Sequence, residues 1–298
     1  MSDGWTRMSS PSALACPDSL KRALAARDAA DALVEGFAAV GVACDPLPLA
    51  DGGEGTEDAL RARLPDDVAV VEAASVIPFD PSLLDVTAQS SRPLGEALGR
   101  VSASHLYLGL GGTANMDAGA GLLDVLDALP APTTVLCDVR TTLYDAPRVF
   151  GPQKGASPEQ VHELEASFRA DERLAPFASL PGSGAAGGLG AALAYLGAEL
   201  VPGAPAVLGL VAFDPSPYSL VVTGEGRVDA TTAVGKVPGE VARRCTLAGV
   251  PCVVFGGVVD AQVAEAETVA LSGDPARARA DLVDLGRSLG LRLLDPTG

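Results

Sequence analysis

The sequence predicts an α/β protein with parallel strands, and three observations carry this prediction. Apolar, strand-like runs alternate with helical periodicity from residue 12 to residue 71. The same alternation returns between residues 219 and 289, whereas the stretch between these blocks is richer in glycine loops. Strands separated by helices pair in parallel through right-handed crossovers. A chain of 298 residues is long enough for about two domains of ordinary size.

The first block reads strand, helix, strand, helix, strand. Its predicted elements are a strand at 12–16, a helix that ends at Ala38, a strand at 42–49, a short helix around Leu60 and a strand at 68–71. Glycine-rich sequence at 51–55 separates the second strand from the short helix. Because glycine permits tight turns after strands, this loop is compatible with a βα connection.

The middle and final blocks are predicted in the same way. The middle elements are a strand at 105–110, a helix that ends near Ala128, a strand at 134–139, a helix at 157–170 and a helix that ends at Leu196. Ser157 followed three residues later by Gln160 is a capping-box signature for the helix at 157–170. The final elements are a strand at 219–223, a helix at 239–247, a strand at 251–255, an apolar segment at 263–271 and a helix at 276–289.

Composition excludes several classes of function. The formal net charge is -17, with 38 acidic against 21 basic side chains, so a basic face for nucleic acid or anionic lipid is not expected. Apolar runs are interrupted before they reach membrane-spanning length, which argues against a membrane protein. The five cysteines form no C-x-x-C pair and read as reduced thiols of a cytoplasmic protein. Residues 1–11 are predicted to be a loose extension without the features of a signal peptide.

Lysine is scarce, and the three lysines lie in similar places. Lys21, Lys154 and Lys236 each occur where a loop meets a predicted helix, while the other eighteen basic residues are arginines. An ammonium group is a compact point charge, in contrast to the planar guanidinium of arginine. We therefore expect the three lysines to contact phosphate or carboxylate groups of ligands rather than to serve only as surface charges.

Carboxylates follow several predicted strands. Asp51 and Glu54 share one glycine loop, Asp138 lies near the end of a buried strand, and Glu225 and Asp229 follow another strand together with Arg227. In open α/β sheets, side chains at the carboxyl ends of strands point into the ligand crevice. Such carboxylates can bind substrate hydroxyls, hold Mg²⁺ or accept a proton. The structural alternative, capping of the following helix, suits Asp117 and Asp18 especially well.

Two standard phosphate-binding motifs do not explain the glycine loops. The sequence around Gly235-Lys236 lacks both the first glycine and the final Ser or Thr of a Walker A motif. Residues 182–187 match the G-x-G-x-x-G pattern of dinucleotide-binding proteins, but no clear strand precedes them and no acidic residue follows at the required distance. A Rossmann oxidoreductase is therefore a weak alternative.

Taken together, seven segments resemble the bacterial glycerate kinases that are unrelated to P-loop and protein kinases. They occur in the family's order: PDSLK (17–21), LADGGEGT (49–56), GLGGTANMDAGAG (109–121), CDV (137–139), VFGPQKGA (149–156), PGSGAAGGLGAAL (181–193) and VVTGEGRVDATTAVGKVP (221–238). The resemblance implies transfer of the γ-phosphoryl group of ATP to D-glycerate with Mg²⁺ in a cleft between two α/β domains. It implies a Rossmann-like domain from residues 12–72 and 218–298, with a second α/β domain, 73–217, inserted between them.

The resemblance also suggests site residues. Asp138, Glu225 and Lys154 are the candidate catalytic residues, and Asp138 or Glu225 is expected to accept the hydroxyl proton or to hold Mg²⁺. The candidate residues for binding glycerate and ATP are Lys21, Asp51, Gly52, Gly53, Glu54, Gly111, Gly112, Thr113, Gln153, Arg227, Asp229 and Lys236. The expected partners are thus a nucleotide and a small acid, with no nucleic acid and no membrane; a homodimer is left open.

This chain departs from the family pattern at several positions. Asn115 and Met116 stand where the family usually has Thr and Asn, so an amide is lost at position 116 and Asn115 is a candidate substitute. The connections near residues 129–133 and 141–149 are also shorter than usual. These departures leave an alternative open, namely a catalytically impaired relative that binds a small organic acid or a nucleotide.

Overall fold

The computed structural model describes residues 10–295 except positions 22, 83, 87, 234 and 265. The chain divides into two compact units: a terminal unit, Met1–Leu49 with Asp214–Gly298, and an inserted unit, Ala50–Phe213. Most of the predicted N-terminal extension, residues 1–11, lies outside the described residues. No helix among the described residues is long and apolar enough to cross a membrane.

The helices and strands alternate along most of the chain. In chain order they are β1 (Ser12–Ala15), α1 (Ala26–Ala38), β2 (Ala43–Pro46), α2 (Thr56–Leu60), β3 (Val68–Glu72), α3 (Ala73–Val76), α4 (Arg92–Leu98), β4 (His105–Gly109), α5 (Ala120–Leu123), β5 (Thr133–Cys137), α6 (Ala146–Phe150), α7 (Pro158–Ala170), α8 (Ala185–Tyr195), β6 (Glu199–Pro202), α9 (Gly203–Leu210), β7 (Leu220–Val228), α10 (Val237–Ala248), β8 (Cys252–Val259), β9 (Glu267–Ala270) and α11 (Ala278–Leu294). Short 3-10 helices lie at Leu143–Asp145, Pro152–Lys154, Ala175–Phe177 and Pro275–Arg277.

The terminal unit contains a parallel sheet, as predicted. Its described strands lie in the order β2-β1-β7-β8-β9, and each neighbouring pair is parallel. Helices α1 and α11 pack closely because Gly36 and Gly286 face each other: a Cβ at Gly36 would come within 2.2 Å of the Val283 carbonyl oxygen. Phe37 and Leu282 belong to the buried cluster formed with this sheet, so apolar burial stabilises the unit.

The inserted unit has a second parallel sheet, in the described strand order β3-β4-β5-β6. Leu106, Leu108 and Val135 are fully buried in this sheet and pack in one cluster with Leu189 of α8. A second cluster, around Phe168 of α7, includes Met116. The β-strand and helix pattern therefore yields two separate parallel sheets, each with its own core.

The predicted domain boundary after residue 72 differs from the structure. The prediction places strand 68–71 in the terminal domain, but β3 pairs with β4 in the sheet of the inserted unit. The physical reason lies in the preceding loop, where a Cβ at Gly52 would come within 2.6 Å of the Leu136 carbonyl oxygen. The loop after β2 thus packs on the second sheet and delivers α2 and β3 to it. Periodicity alone does not show which sheet a strand joins.

The helix predicted to end near Ala128 is shorter than expected. Helix α5 ends at Leu123, although the chain continues in turns. Leu122 and Leu126 are both buried at a spacing of four, which explains why the pattern resembles a longer helix.

The capping box of α7 is confirmed. Ser157 Oγ accepts a hydrogen bond from the Gln160 amide at 3.2 Å, and Gln160 Oε1 accepts one from the Ser157 amide at 2.9 Å. We expect Ser157→Ala to lower the free energy of unfolding by about 1 kcal/mol, because the substitution leaves a helix-terminal amide without its acceptor. Urea denaturation should show this loss, whereas an unchanged midpoint would contradict it.

Candidate active site

Three loops of the inserted unit meet at the carboxyl ends of β4 and β5. The Gly111 amide donates to the Gly52 carbonyl oxygen at 3.1 Å. A Cβ at Gly111 would lie 2.6 Å from Gly53 Cα and 3.1 Å from Asp138 Oδ2. These close approaches require glycine and bring the predicted residues Asp51–Gly53, Gly111 and Asp138 together. Backbone amides and carboxylates at such a position can bind a polar ligand.

The other predicted residues of these loops differ in exposure. Thr113 is buried and bridges to Pro78, and Gly112 adopts a left-handed conformation with φ of 76°. Asp51 is half-buried, whereas Glu54 is exposed. The two carboxylates of this loop therefore differ in solvent exposure. Asp51, the less exposed one, is the better placed to bind a ligand that is shielded from water.

Lys154 is buried, with only 7% of its surface exposed. Its ammonium donates to the backbone carbonyl oxygen of Asn115 at 2.9 Å. Desolvation lowers the pKa of Lys154 from its ordinary value to about 8, against the opposing effect of the Asp138 and Asp117 charges. The neighbouring Gln153 is exposed. A buried lysine that still carries charge at neutral pH is suited to hold a phosphoryl or carboxylate group.

Asp117 has the structural role that was the alternative in the sequence. Its carboxylate accepts hydrogen bonds from the Ser91 amide and hydroxyl at 2.7 and 2.8 Å and from the amides of Gly119 and Gly121 at 3.1 and 3.2 Å. Asn115 Nδ2 also donates to Asp117, at 3.1 Å. Asp117 therefore fixes the loop between β4 and α5 by accepting hydrogen bonds from the backbone amides there.

Asn115 and Met116 have opposite environments. Met116 is buried in the apolar cluster around Phe168, so this position contributes packing rather than a polar contact. Asn115 is fully buried, and its Nδ2 also donates to the Ala186 carbonyl oxygen at 2.9 Å. Among the described residues, Asn115 Oδ1 has no hydrogen-bond partner. Sequence reasoning missed that the Asn115 carbonyl holds Lys154, because a backbone acceptor leaves no signature in residue type.

The G-x-G-x-x-G segment packs against protein rather than following a strand. A Cβ at Gly182 would lie 2.7 Å from Cys137 Sγ, and one at Gly184 would lie 2.3 Å from the Thr142 carbonyl oxygen. The described segment before it is a 3-10 helix and turns. The glycines are thus required by close packing, which disfavours the dinucleotide-binding interpretation.

In the terminal unit, Glu225 is buried and both of its carboxylate oxygens are engaged. Oε1 accepts from Thr232 Oγ1 at 2.7 Å, and Oε2 accepts from Lys236 Nζ at 2.9 Å. Lys236 stands at the N-cap position of α10. Because a cation at a helix N-terminus opposes the helix dipole, the Glu225 charge stabilises this placement. Lys21 is exposed, and its backbone lies beside Gly226.

Arg227 and Asp229 lie at the end of β7 but face different partners. The Arg227 guanidinium pairs with Asp260 at an exposed position. Asp229 Oδ1 accepts from the Thr231 hydroxyl and amide at 2.6 and 2.8 Å, and these hydrogen bonds lower the Asp229 pKa. Arg227, which the sequence analysis counts among the ligand-binding cations, is thus already paired with a carboxylate.

We expect Arg227→Ala to have little effect on folding. Exposed ion pairs contribute about 0–1 kcal/mol, so the free energy of unfolding should fall by less than about 1 kcal/mol. Chemical denaturation tests this, and a loss of several kcal/mol would show that Arg227 has a buried role.

Residues 13–90 and 130–273 match the model of the glycerate kinase family. The chain belongs to the glycerate kinase family. A glycerate kinase of Bacillus subtilis (strain 168) is 32% identical over 321 residues, covering 82% of this chain and 84% of that protein. A glycerate 2-kinase of Escherichia coli (strain K12) is 29% identical, covering 74% and 78%.

A solved structure supports the same assignment. The crystal structure of a protein assigned as glycerate kinase 2 of Salmonella typhimurium LT2 has a TM-score of 0.77 and 27% identity, covering 96% of this chain and 99% of that one. The glycerate kinase family resemblance and the α/β fold predicted from sequence are therefore confirmed. The matched ranges contain Asp138 and Lys154 but leave out residues 91–129, where Asn115 and Met116 depart from the family pattern.

Proposed function

We propose that this protein transfers the γ-phosphoryl group of ATP to a hydroxyl group of D-glycerate, with Mg²⁺. The family assignment supports glycerate as the acceptor. The observation that carries the proposal is the buried Lys154 of the inserted unit, whose ammonium is influenced by the Asp138 charge at the end of β5. A buried cation and a half-buried carboxylate that interact can stabilise the phosphoryl charge and take up the hydroxyl proton during phosphoryl transfer. Binding of the reactants in a cleft remains a prediction.

Asp138 is the proposed proton acceptor. It follows β5, and a Cβ at Gly111 would lie 3.1 Å from its Oδ2, so the carboxylate stands beside the loop that follows β4. As the glycerate hydroxyl attacks the γ-phosphorus, its proton moves to an Asp138 carboxylate oxygen, and ADP leaves with the electrons of the broken P–O bond. The half-buried Asp51 is proposed to orient a second glycerate hydroxyl.

Lys154 is the proposed electrostatic stabiliser. Its ammonium, charged at neutral pH, would hold a phosphoryl oxygen or the glycerate carboxylate while negative charge is redistributed. Low local polarity strengthens this interaction in comparison with a surface lysine. In the terminal unit, Lys236 and Lys21 are proposed to contact nucleotide phosphates, with Glu225 holding Lys236 in place.

The residues fit Mg²⁺ on chemical grounds. No cluster of three or more suitable ligands occurs among the described side chains, but Mg²⁺ in kinases binds mainly to phosphates and waters with one or two protein carboxylates. Asp138 would supply such a carboxylate. Glu225 is the less favoured ligand, because both of its oxygens already accept hydrogen bonds. When bound, the ion would neutralise phosphate charge during transfer.

A coupled ADP-release assay with ATP, Mg²⁺ and D-glycerate tests the proposed function. We expect turnover that depends on all three components and is lost in Lys154→Met. Thermal stabilisation by ATP or glycerate without turnover would instead support the catalytically impaired relative. Stabilisation by NAD(P) without a response to ATP would support the oxidoreductase alternative.

A further inference from the structure

The residue whose carbonyl accepts the hydrogen bond of the Lys154 ammonium, Asn115, is itself held by further hydrogen bonds. Asn115 O lies 2.9 Å from Lys154 Nζ, and both residues are buried. The side chain of the same Asn115 is bonded on two sides, to Asp117 Oδ1 at 3.1 Å and to the Ala186 carbonyl oxygen at 2.9 Å. A shift of residue 115 would therefore break contacts with two separate parts of the inserted unit.

The second part is the last portion of the G-x-G-x-x-G segment. Ala186, Gly187 and Gly188 have positive φ values within the first turn of α8. A Cβ at Gly187 would lie 2.1 Å from Asn115 O, the same atom that accepts the Lys154 ammonium. The Ala118 amide also donates to the Gly187 carbonyl oxygen at 3.0 Å. Gly187 thus lets the turn approach this carbonyl as closely as backbone permits.

We propose that Asn115 and the turn Ala186–Gly188 are positioning residues that hold the Lys154 ammonium in place for phosphoryl transfer. The glycine motif then has a role other than nucleotide binding: it packs against the Asn115 carbonyl oxygen, which accepts the hydrogen bond of the buried lysine. The Asn115 side-chain amide holds the same residue through its hydrogen bonds to Asp117 and Ala186. This inference rests on the proposed function for its catalytic meaning, but the positioning itself can be measured without substrate.

The proposal has a consequence for the protonation of Lys154. Truncation of Asn115 or displacement of its carbonyl admits water to the ammonium, which decreases its desolvation and raises its pKa. Loss of the carbonyl acceptor acts in the opposite direction, but desolvation is the largest cause of the lowered Lys154 pKa, so we expect the gain in hydration to be the larger effect. The charged groups that influence Lys154 are Asp138 and Asp117. The substitutions Asn115→Ala and Gly187→Ala both keep these carboxylates in the chain. The titration midpoint of Lys154 should therefore move upward toward the value of an exposed lysine.

The scarcity of lysine makes the experiment direct. Protein labelled with ¹³Cε-lysine has signals from Lys21, Lys154 and Lys236 only, and Lys154→Arg assigns the relevant one. The titration is run on the full chain without Mg²⁺ or substrates. In the wild type we expect a midpoint at about 8 for Lys154. In Asn115→Ala and Gly187→Ala we expect an increase of about one pH unit or more.

Matched controls separate positioning from general destabilisation. Gly197→Ala places alanine at φ of 94°, with no heavy atom within 4 Å of its Cβ, so it reproduces the backbone strain without touching Asn115 O. Thr133→Ala removes a buried hydroxyl that donates to the Ala131 carbonyl oxygen at the beginning of β5. Both should lower the melting temperature but leave the Lys154 midpoint unchanged.

The outcomes are distinct. An unchanged Lys154 midpoint in a folded Asn115→Ala protein would overturn the proposal, as would an equal shift in both controls. If Gly187→Ala does not fold, the Lys154 midpoint in Asn115→Ala alone tests the proposal. In active enzyme, the alkaline limb of kcat/KM should move upward together with the NMR midpoint. A shifted midpoint in a protein that does not phosphorylate glycerate would preserve the positioning role and refute the proposed function.

Discussion

Asp138→Asn should lower kcat for D-glycerate phosphorylation by about 10²- to 10⁴-fold, the usual contribution of a general base. Asparagine keeps the size of the side chain and its place beside Gly111, but it cannot take the hydroxyl proton and is a weak ligand for Mg²⁺. Steady-state kinetics at saturating ATP and glycerate measure the effect. The loss should appear mainly in kcat, since the proton is transferred only in the transition state.

A control for this variant is Asp124→Asn, which changes an exposed carboxylate of the same unit that pairs with Arg92. It should leave kcat within about twofold, since exposed ion pairs contribute little. Near-normal turnover in Asp138→Asn would exclude Asp138 as proton acceptor and would return that role to Glu225 or to solvent.

Lys154→Arg should lower kcat/KM by about tenfold to a hundredfold, although it conserves charge. The side chain is buried, and the larger planar guanidinium cannot occupy the position of an ammonium that donates to Asn115 O at 2.9 Å. A charge-assisted contact contributes about 1.5–3 kcal/mol, which corresponds to this loss in rate. Wild-type kinetics in Lys154→Arg would show that a point charge is not needed here.

The same residue predicts a pH dependence of activity. Lys154 loses its proton as the pH rises through about 8, so kcat/KM should fall on the alkaline side of this value. Lys154→Met should have a low rate without that alkaline limb. A wild-type rate that stays constant up to pH 10 would contradict a role for the charged ammonium.

The free energy of unfolding should respond to pH in the opposite direction to kcat/KM. The pKa of Lys154 is about 8 in the folded protein, below its ordinary value of 10.5, so between these values the unfolded chain binds more protons. The contribution of Lys154 to the free energy of unfolding therefore rises with pH across this window, by up to about 3 kcal/mol. Denaturation of the wild type and Lys154→Met at pH 7 and pH 10.5 measures the difference, which should be absent if the lysine is well solvated.

The sequence predicts those features that depend on local pattern. Asp138 directly follows a buried strand, so its place at the carboxyl end of β5 follows from the order of residues. Ser157 and Gln160 predict the helix beginning that the structure contains. The scarcity of lysine draws attention to Lys154, and its role in ligand binding stays a prediction. Its burial comes from packing that no single segment encodes.

Features that depend on distant contacts could not be predicted. Arg227 pairs with Asp260, 33 residues away and directly after the neighbouring strand β8, so its charge is compensated by a partner that sequence spacing does not suggest. The G-x-G-x-x-G segment matches a nucleotide motif in letters but serves close packing in the structure. In each case the decisive contact joins segments whose proximity is set only by the folded sheet.

The most direct test of the proposed function is a phosphorus NMR time course with ATP, Mg²⁺ and D-glycerate. The wild-type protein should convert the ATP signals to those of ADP together with one new phosphomonoester signal, which also identifies the phosphorylated hydroxyl. Asp138→Asn at the same concentration should convert ATP far more slowly. Unchanged ATP with the wild type, or hydrolysis to ADP and inorganic phosphate without a phosphomonoester, would contradict the proposal that this protein phosphorylates glycerate.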